Sequence, residues 1–148
     1  AEGKDPHKLK KKPTDQGLHE IRLAVYPHKG GWREASTVRK AYEFNYPPIT
    51  HYEKSHDGDL PKTHSFIKVK PKNVIISVIK KAEDSEDVIL RLYETESKRT
   101  KVEISFDKEW KKATETDLME REISQLKTGN SLITSFNGNE IKTLKIRL

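Results

Sequence analysis

Residues 73–94, NVIISVIKKAEDSEDVILRLYE, carry the clearest structural signal in the chain. The opening third of this stretch is almost continuously apolar, which predicts a strand covered by protein on both faces. In the closing third, Val88, Leu90 and Leu92 recur at every second position, which predicts a strand with one face towards a core. The charged run 80–87 between them indicates a hairpin loop. We therefore expect two adjacent antiparallel strands at the centre of the chain.

On the N-terminal side of this hairpin, the sequence predicts one helix between two strands. Residues 20–26 alternate between apolar and polar or small side chains, so we expect a strand that ends at the following proline and glycines. Residues 32–44 carry apolar side chains at intervals of three to four, which predicts a short helix. The polar segment 49–63 predicts a loop, and 65–69 predicts a short strand.

On the C-terminal side, alternation predicts a strand over 101–106. The polar segment 113–122 is compatible with a helical turn or with an irregular link. Residues 132–136 and 140–148 predict two closing strands. The intervening Asn137-Gly138-Asn139 indicates that these two strands form a hairpin, because Asn-Gly tolerates the positive φ angles of a tight turn.

About seven short strands, hairpin loops and one early helix predict a mainly β fold. The expected architecture is an antiparallel β-sandwich with one short helix near the N-terminus. Residues 1–16 are Lys-rich with almost no apolar anchors and predict a flexible basic leader. Residues 17–148 are expected to form the sandwich domain.

The composition limits the class of protein. Hydrophobic residues make up 32% and charged residues 35% of the chain, which predicts a heavily charged surface around a modest core. The chain has no cysteine, so disulfides, thiolate metal sites and a cysteine nucleophile are excluded. It has no apolar run of about 20 residues, no signal-peptide pattern and no Asn-x-Ser/Thr acceptor. These features favour a cytoplasmic protein that makes no membrane contact.

The formal net charge of +6 raises the possibility of nucleic-acid binding. Much of the excess lies in the first twelve residues, which hold Lys4, Lys8, Lys10, Lys11 and Lys12. Beyond them, acidic and basic residues are interspersed, as on an ordinary solvated surface. Nucleic-acid binding therefore ranks last among the functions considered.

The histidines do not form a recognisable metal or catalytic motif. His19 precedes Glu20, but a zinc-protease motif needs a second histidine one helical turn later, and Leu23 stands there. His19 and His28 would lie roughly 30 Å apart along an extended strand at ~3.3 Å per residue.

A second group of histidines lies in and just after the polar loop. His51, His56 and His64 are near Asp57 and Asp59 in sequence, and these ligand types suit zinc. Histidines and acids are common neighbours in loops, so this is only a weak indication of a metal site.

Acidic pairs are also candidates for general acid–base chemistry. The four acids of the 80–87 loop are expected to be solvated, whereas a working pair needs one buried carboxyl with a raised pKa. Glu94 follows an apolar run and is the more interesting single acid. Beside Arg91 and Tyr93, it is expected to form a local ion pair or to contact a neighbouring domain.

Aromatic residues are concentrated in the first third of the chain, which suggests a platform for stacking on sugars or bases. The helical spacing of Trp32 and Tyr42 favours core packing over such a platform. The sequence holds no phosphate-binding glycine loop and no Gly-x-Ser-x-Gly elbow. Read from its residues, the chain is a β-rich domain without a visible active site.

Several stretches together resemble the C-terminal region of glycoside hydrolase family 38 α-mannosidases. They are HEIRLAVYPHKGGW, REASTVRKAYEFNYPPI, SFIKVKPKNVIISVIKKAEDSEDVILRLYET, ATETDLMERE and FNGNEIKTLKIRL. Their order and spacing extend from Leu18 to Leu148. One departure is Asn137-Gly138-Asn139, where the family pattern suggests a proline-containing approach to Glu-Ile-Lys-Thr.

The resemblance implies a β-sandwich piece of a larger retaining, exo-acting α-mannosidase. Such enzymes hold a zinc ion and a carboxylate nucleophile in an N-terminal α/β-barrel. No residue of this chain matches those catalytic motifs, so the chain alone is expected to bind no zinc and to lack the catalytic residues. Its expected partner is the catalytic barrel, and Arg91, Tyr93 and Glu94, or the 49–63 loop, are candidate contacts with the barrel or with a mannoside. The alternative function is a stand-alone carbohydrate-binding module.

Overall fold

The computed structural model describes residues 16–126 and 131–148. These two ranges contain one helix and eight strands. Their bounds are α1 Thr37–Asn45, β1 Ile67–Lys70, β2 Val74–Lys81, β3 Val88–Glu94, β4 Thr100–Phe106, β5 Lys112–Thr116, β6 Glu122–Gln125, β7 Leu132–Phe136 and β8 Ile141–Arg147. Within the described ranges, no helix has the length and apolar character needed to cross a membrane.

The strands form two antiparallel sheets, which confirms the predicted sandwich with one short helix. One sheet has three strands in the order β1-β4-β7, and the other has five in the order β2-β3-β8-β5-β6. Strand β8 thus lies in the middle of the larger sheet, between β3 and β5. The chain passes repeatedly from one sheet to the other, and the two hairpins, β2-β3 and β5-β6, both lie in the larger sheet.

The core lies between the inner faces of the two sheets. The larger sheet contributes alternate side chains of β3 and β8, and the smaller sheet contributes those of β4 and β7. These fully buried side chains are Leu90, Leu92, Val102, Ile104, Leu132, Phe136, Leu144 and Ile146. Each such side chain contributes roughly 1.5–3 kcal/mol of burial free energy, so this cluster supplies the main driving force for folding.

The central hairpin follows the prediction, with one irregularity. Strand β3 has the predicted bounds, and β2 extends two residues further than expected. The pairing register shifts between Ile76 and Val78, so side chains after that bulge change face. Ile75 is buried on the outer face, whereas Ile79 is 59% exposed. Coverage on both faces therefore holds only for the first half of β2.

The prediction of a strand over residues 20–26 is wrong. This segment has no regular secondary structure, and Ile21, Leu23 and Val25 are exposed. Alternation gives a segment one apolar face, but a strand also needs a neighbouring strand to pair with its backbone groups. Within the described residues, no sheet pairing includes this segment.

The early helix is confirmed, but it is shorter than the predicted range 32–44. Residues 32–36 form turns, and the regular helix starts at Thr37. Ser36 has a φ of 52°, in the left-handed region, so the preceding turn cannot continue into the helix.

Segment 113–122 forms neither a helix nor an irregular link. It contains most of the hairpin between β5 and β6, whose pairing includes Thr114 with Gln125 and Thr116 with Glu122. The positive φ of Glu120, 64°, lies in the turn of this hairpin. β6 is exposed along its whole length and forms one edge of the larger sheet.

The predicted hairpin at Asn137-Gly138-Asn139 is also wrong. β7 and β8 belong to different sheets, so this turn connects the two layers of the sandwich. Asn139 has the positive φ expected of such a turn, 61°. Gly138 packs against backbone, since a Cβ atom placed on it would lie 2.7 Å from the carbonyl carbon of Ser97. The Asn-Gly sequence therefore predicts the turn correctly, but it does not indicate that the turn joins the two different sheets.

Candidate functional site

Strand β3 places the three candidate residues on two different faces. Arg91 and Tyr93 lie on the outer face of the larger sheet, and Glu94 lies on the inner face with Leu90 and Leu92. The Arg91 guanidinium donates hydrogen bonds to the Thr143 hydroxyl, at 3.2 Å, and to the Leu118 carbonyl, at 3.4 Å. The structure therefore brings Arg91 and Tyr93 together on one surface and separates Glu94 from them.

Glu94 is a buried carboxylate, 1% exposed, that accepts four hydrogen bonds. Its Oε1 accepts from the Asn73 side-chain amide, at 2.8 Å, and from the Glu96 backbone N–H, at 2.7 Å. Its Oε2 accepts from the backbone N–H groups of Lys98, at 3.2 Å, and Asn139, at 3.0 Å. Each carboxylate oxygen thus faces two donors.

The surroundings of Glu94 determine its charge. Burial raises the pKa of this carboxyl, but the hydrogen bonds from Asn139, Asn73, Glu96 and Lys98 together outweigh burial and leave the pKa below its ordinary value. A carboxylate that stays ionised and fully hydrogen-bonded is unsuited to donate a proton. Its geometry instead joins the start of β2, the β3–β4 connection and the β7–β8 turn.

Beside β3, the outer surface holds an aromatic groove of about 690 Å³. The aromatic groove is lined by Trp32, Thr37, Val38, Ala41, Tyr42, Asn45 and Tyr46. The rings of Tyr42 and Tyr46 stack at 5.4 Å, and Tyr42 lies 6.2 Å from Tyr93. Burial, together with the hydrogen bond that the Tyr93 hydroxyl donates to Tyr42, raises the pKa of Tyr93 to about 12. The expected core packing of Trp32 and Tyr42 is thus wrong, since helix α1 has no buried residue and this face of it is open.

Helix α1 and the turn before it are attached to the sandwich mainly through side chains. Arg33 Nε donates to the Glu96 carbonyl at 2.8 Å, and Arg39 Nη2 donates to the Lys72 carbonyl at 3.2 Å. Both acceptors lie in connections next to β2 and β3. The aromatic groove is therefore held in a fixed place relative to the larger sheet, next to Tyr93.

A second concave region on the larger sheet is strongly charged. Asp87 is buried and accepts from two guanidinium nitrogens of Arg147, at 3.0 and 3.2 Å. The hydrogen bond from Arg147 lowers the pKa of Asp87, and one from Lys145 does the same for the pKa of Asp84. The expectation that all acids of this loop are solvated fails at Asp87. The lowered pKa values of Asp84, Asp87 and Glu120 are the opposite of what a general acid requires.

The histidines of the polar loop do not converge. His51 Nε2 lies 3.0 Å from Glu53 Oε1, and His64 Nε2 lies 2.8 Å from Asp107 Oδ2. His56 Nδ1 instead lies 3.0 Å from the backbone carbonyl of its own neighbour. Across residues 16–126 and 131–148, no group of three or more acidic or histidine side chains is arranged to hold a metal ion. These side chains do not fit the zinc ion that the family resemblance implies for the whole enzyme.

Sequence reasoning missed two residues that organise this region. Asn73 donates both to Glu94 and to the Thr100 hydroxyl, at 2.7 Å, and so links β2 and β3 to β4. Arg147 neutralises Asp87 from the far end of the sequence. A polar residue directly before an apolar strand was the available signal for Asn73. The Arg147 pair depends on β8 lying beside β3, which no local pattern indicates.

Comparison with known proteins supports the resemblance. A family model described as the glycosyl hydrolases family 38 C-terminal beta sandwich domain matches residues 73–144. Alpha-mannosidase 2C1 of Mus musculus is 32% identical over 112 residues, which are 73% of this chain and 10% of that protein. Alpha-mannosidase G of Dictyostelium discoideum is 32% identical over 84 residues, 55% of this chain and 8% of that protein. An alpha-mannosidase of Saccharomyces cerevisiae is 37% identical over 75 residues, 51% of this chain and 7% of that protein.

The chain spans a tenth or less of the length of these relatives. The alignment of 112 residues is longer than the whole stretch from Asn73 to Leu148, so it also includes residues on the N-terminal side of the sandwich. The similarity therefore covers part of the segment that contains helix α1 and the residues before it.

Proposed function

Because residues 73–144 belong to glycosyl hydrolase family 38 as its C-terminal β-sandwich domain, we propose that this chain is a non-catalytic part of a zinc-dependent retaining α-mannosidase. In that enzyme the sandwich packs against the catalytic barrel. The zinc ion and the carboxylate nucleophile belong to the barrel, and the residues of this chain supply shape and stability.

The observation that carries this proposal is the aromatic groove. Tyr46 is 72% exposed, Trp32 is also exposed, and the groove between them is mostly apolar. Burial of apolar surface contributes about 25 cal/mol per Å². Another protein surface therefore gains free energy by packing into such a groove. The relatives are several times longer than this chain, so the parent polypeptide has ample surface to fill it.

The candidate contacts remain part of this proposal, with different roles. Tyr93 lies next to the aromatic groove, and Arg91 is on the same outer face of β3, where a neighbouring domain can approach both residues. The 49–63 loop is exposed throughout and presents Ile49 and Tyr52 to solvent. Glu94 acts from beneath this surface by fixing the connections around it.

An activity assay tests the non-catalytic assignment. The isolated chain with an aryl α-mannoside and added zinc should release no more phenol than zinc and buffer alone. Turnover comparable to that of a complete family 38 enzyme would refute the proposal.

A pair of variants tests the packing. Tyr46→Ser removes an exposed ring, so the melting temperature of the isolated chain should stay within about 1–2 °C of its original value. In the parent enzyme the same change should lower the melting temperature of the whole protein. Glu103→Ser, on the exposed face of β4, is the matched control and should change neither. If neither variant lowers the melting temperature of the parent enzyme, the groove is not the surface that contacts the catalytic barrel.

The aromatic groove also supports a second candidate function, the binding of a mannoside by an independent carbohydrate-binding module. Sugar binding needs a free ring face, but the Arg33 guanidinium lies 4.2 Å over the Trp32 ring and covers one side. Titration with mannose oligosaccharides, followed by tryptophan fluorescence, separates the two functions. A saturable change below about 1 mM would favour the binding module, and no change would favour the packing domain.

A further inference from the structure

The segment before the helix, residues 18–26, is an arm with an uncovered apolar face. Ile21, Leu23 and Val25 are 77%, 89% and 95% exposed, respectively. They alternate with Glu20 and Arg22, so an extended chain places the apolar side chains on one side and the charged ones on the other. Three large apolar side chains in a row on one face are rarely left in water by a folded protein.

We infer that this arm adds as a strand to the edge of a β-sheet in the part of the parent α-mannosidase that this chain does not contain. The inference rests on the proposed function and specifies how the domain is joined to its enzyme. An edge strand presents unpaired N–H and C=O groups, and an extended segment can pair with them while its apolar face covers the core beneath.

The part of the chain that the structure describes offers the arm no such partner. Among the described residues, neither sheet includes residues 18–26, although their alternation is typical of a half-buried strand. The position of the arm is nevertheless partly fixed. The Tyr26 hydroxyl donates to the Ala35 carbonyl at 3.2 Å, and the Arg22 guanidinium lies 5.0 Å over the Phe44 ring.

These contacts hold the arm beside helix α1 and the turn before it. Helix α1 is in turn tied to the larger sheet through Arg33 and Arg39. An arm anchored at one end loses less freedom when it pairs with a second sheet than a fully free segment does. The alignment with the mouse relative also extends into the N-terminal side of the chain, and about nine tenths of that relative lies outside it.

Hydrogen–deuterium exchange with residue-level fragmentation tests the inference. In the isolated chain, the backbone amides of residues 20–26 should exchange at nearly the rate of an unfolded peptide. In the parent enzyme, alternate amides of this segment should exchange at least about 100-fold more slowly, because one neighbouring strand pairs with every second residue.

Two variants separate the two faces of the arm. Leu23→Lys places a charge on the apolar face, and Ala24→Lys places the same charge on the opposite face. Both positions are exposed, so neither variant should change the melting temperature of the isolated chain. In the parent enzyme, Leu23→Lys should abolish the slow exchange of the arm, whereas Ala24→Lys should retain it.

The outcomes distinguish this inference from the proposed function. If the aromatic groove becomes protected in the parent enzyme while the arm exchanges freely, the domain packs as proposed but the arm is not a strand, and the inference fails. Slow exchange of the arm in the isolated chain also overturns it. In that case light scattering shows whether a second copy of the chain provides the pairing. If neither region is protected in the parent enzyme, both proposals fail.

Discussion

Replacing Glu94 by glutamine tests whether one buried carboxylate holds the connections of the sandwich together. The two carboxylate oxygens each accept two hydrogen bonds, from the Asn73 side chain and from three backbone N–H groups. Glutamine has the same shape but only one acceptor oxygen. Whichever way its amide is turned, the NH₂ group faces two donors, so two hydrogen bonds are lost.

The magnitude follows from those two lost bonds. A buried donor left without an acceptor costs about 1–3 kcal/mol, so the free energy of unfolding should fall by about 2–6 kcal/mol. Small domains are stable by only about 5–15 kcal/mol, and about 1 kcal/mol shifts the melting temperature of a chain of about 150 residues by about 2–4 °C. Glu94→Gln should therefore melt at least about 4 °C lower.

Urea unfolding followed by tryptophan fluorescence measures this loss, since Trp110 packs against the core. Glu103→Gln is the matched control, because Glu103 is exposed on β4, and it should stay within about 0.5 kcal/mol of the original protein. A loss below about 1 kcal/mol for Glu94→Gln, with an unchanged dependence on urea, would refute the role assigned to the carboxylate.

The pH dependence of the same pair gives an independent check. The folded-state pKa of Glu94 lies below its ordinary value of 4.5, so its contribution to stability is complete above about pH 4.5 and declines as the pH falls through the folded-state value. Glutamine does not titrate. The difference in free energy of unfolding between the original protein and Glu94→Gln should therefore narrow below about pH 4.5, and a difference that stays constant down to pH 3 would contradict this.

Three further changes test the surrounding structure by urea or acid unfolding. Gly138→Ala should cost about 1–3 kcal/mol, because its Cβ would meet the backbone of the β3–β4 connection, whereas Gly58→Ala, with open space around it, should cost almost nothing. Phe136→Ala should cost about 3–5 kcal/mol through the cavity it leaves, and the exposed Ile133→Ala less than about 1 kcal/mol; equal losses would contradict the assigned core. The pKa of Asp87 in the folded protein is below its ordinary value of 3.8, so the ionised carboxylate stabilises the fold above about pH 3.8 and this contribution is lost as the pH falls. In Asp87→Asn, which lacks this titration, the free energy of unfolding should therefore decrease less steeply with falling pH.

The elements that sequence patterns predicted best are those whose signal is local. Val88–Glu94 and Leu132–Phe136 have the predicted bounds, because each combines apolar alternation with clear turn residues at its ends. Strands β5 and β6 were missed for the opposite reason. Segment 112–116 buries Ala113, Thr114 and Thr116, which are small or polar and so produce no apolar period.

The remaining errors concern pairing between distant segments. Residues 20–26 have the pattern of a strand but no partner in the sheets described here. The Asn-Gly turn has the chemistry of a hairpin, but β8 pairs with β3 and β5 instead of β7. Likewise, Arg91, Tyr93 and Glu94 are close neighbours in the sequence. In the structure, the side chains of Arg91 and Tyr93 point to the outer face of β3, and the side chain of Glu94 points to the inner face. Which distant strands pair, and which face of a strand each side chain occupies, can be read only from the three-dimensional structure.

The position of β8 in the larger sheet also constrains when the domain can form during protein synthesis. β8 is translated after the other seven strands that the structure describes, yet it is the strand that joins the β2-β3 hairpin to the β5-β6 hairpin. Until it leaves the ribosome, the strands of the larger sheet can form only two separate hairpins, and isolated hairpins are at best marginally stable in water. We therefore expect the sandwich to fold in one late step, and a chain that terminates before Ile141 to expose its apolar faces to chaperones and proteases.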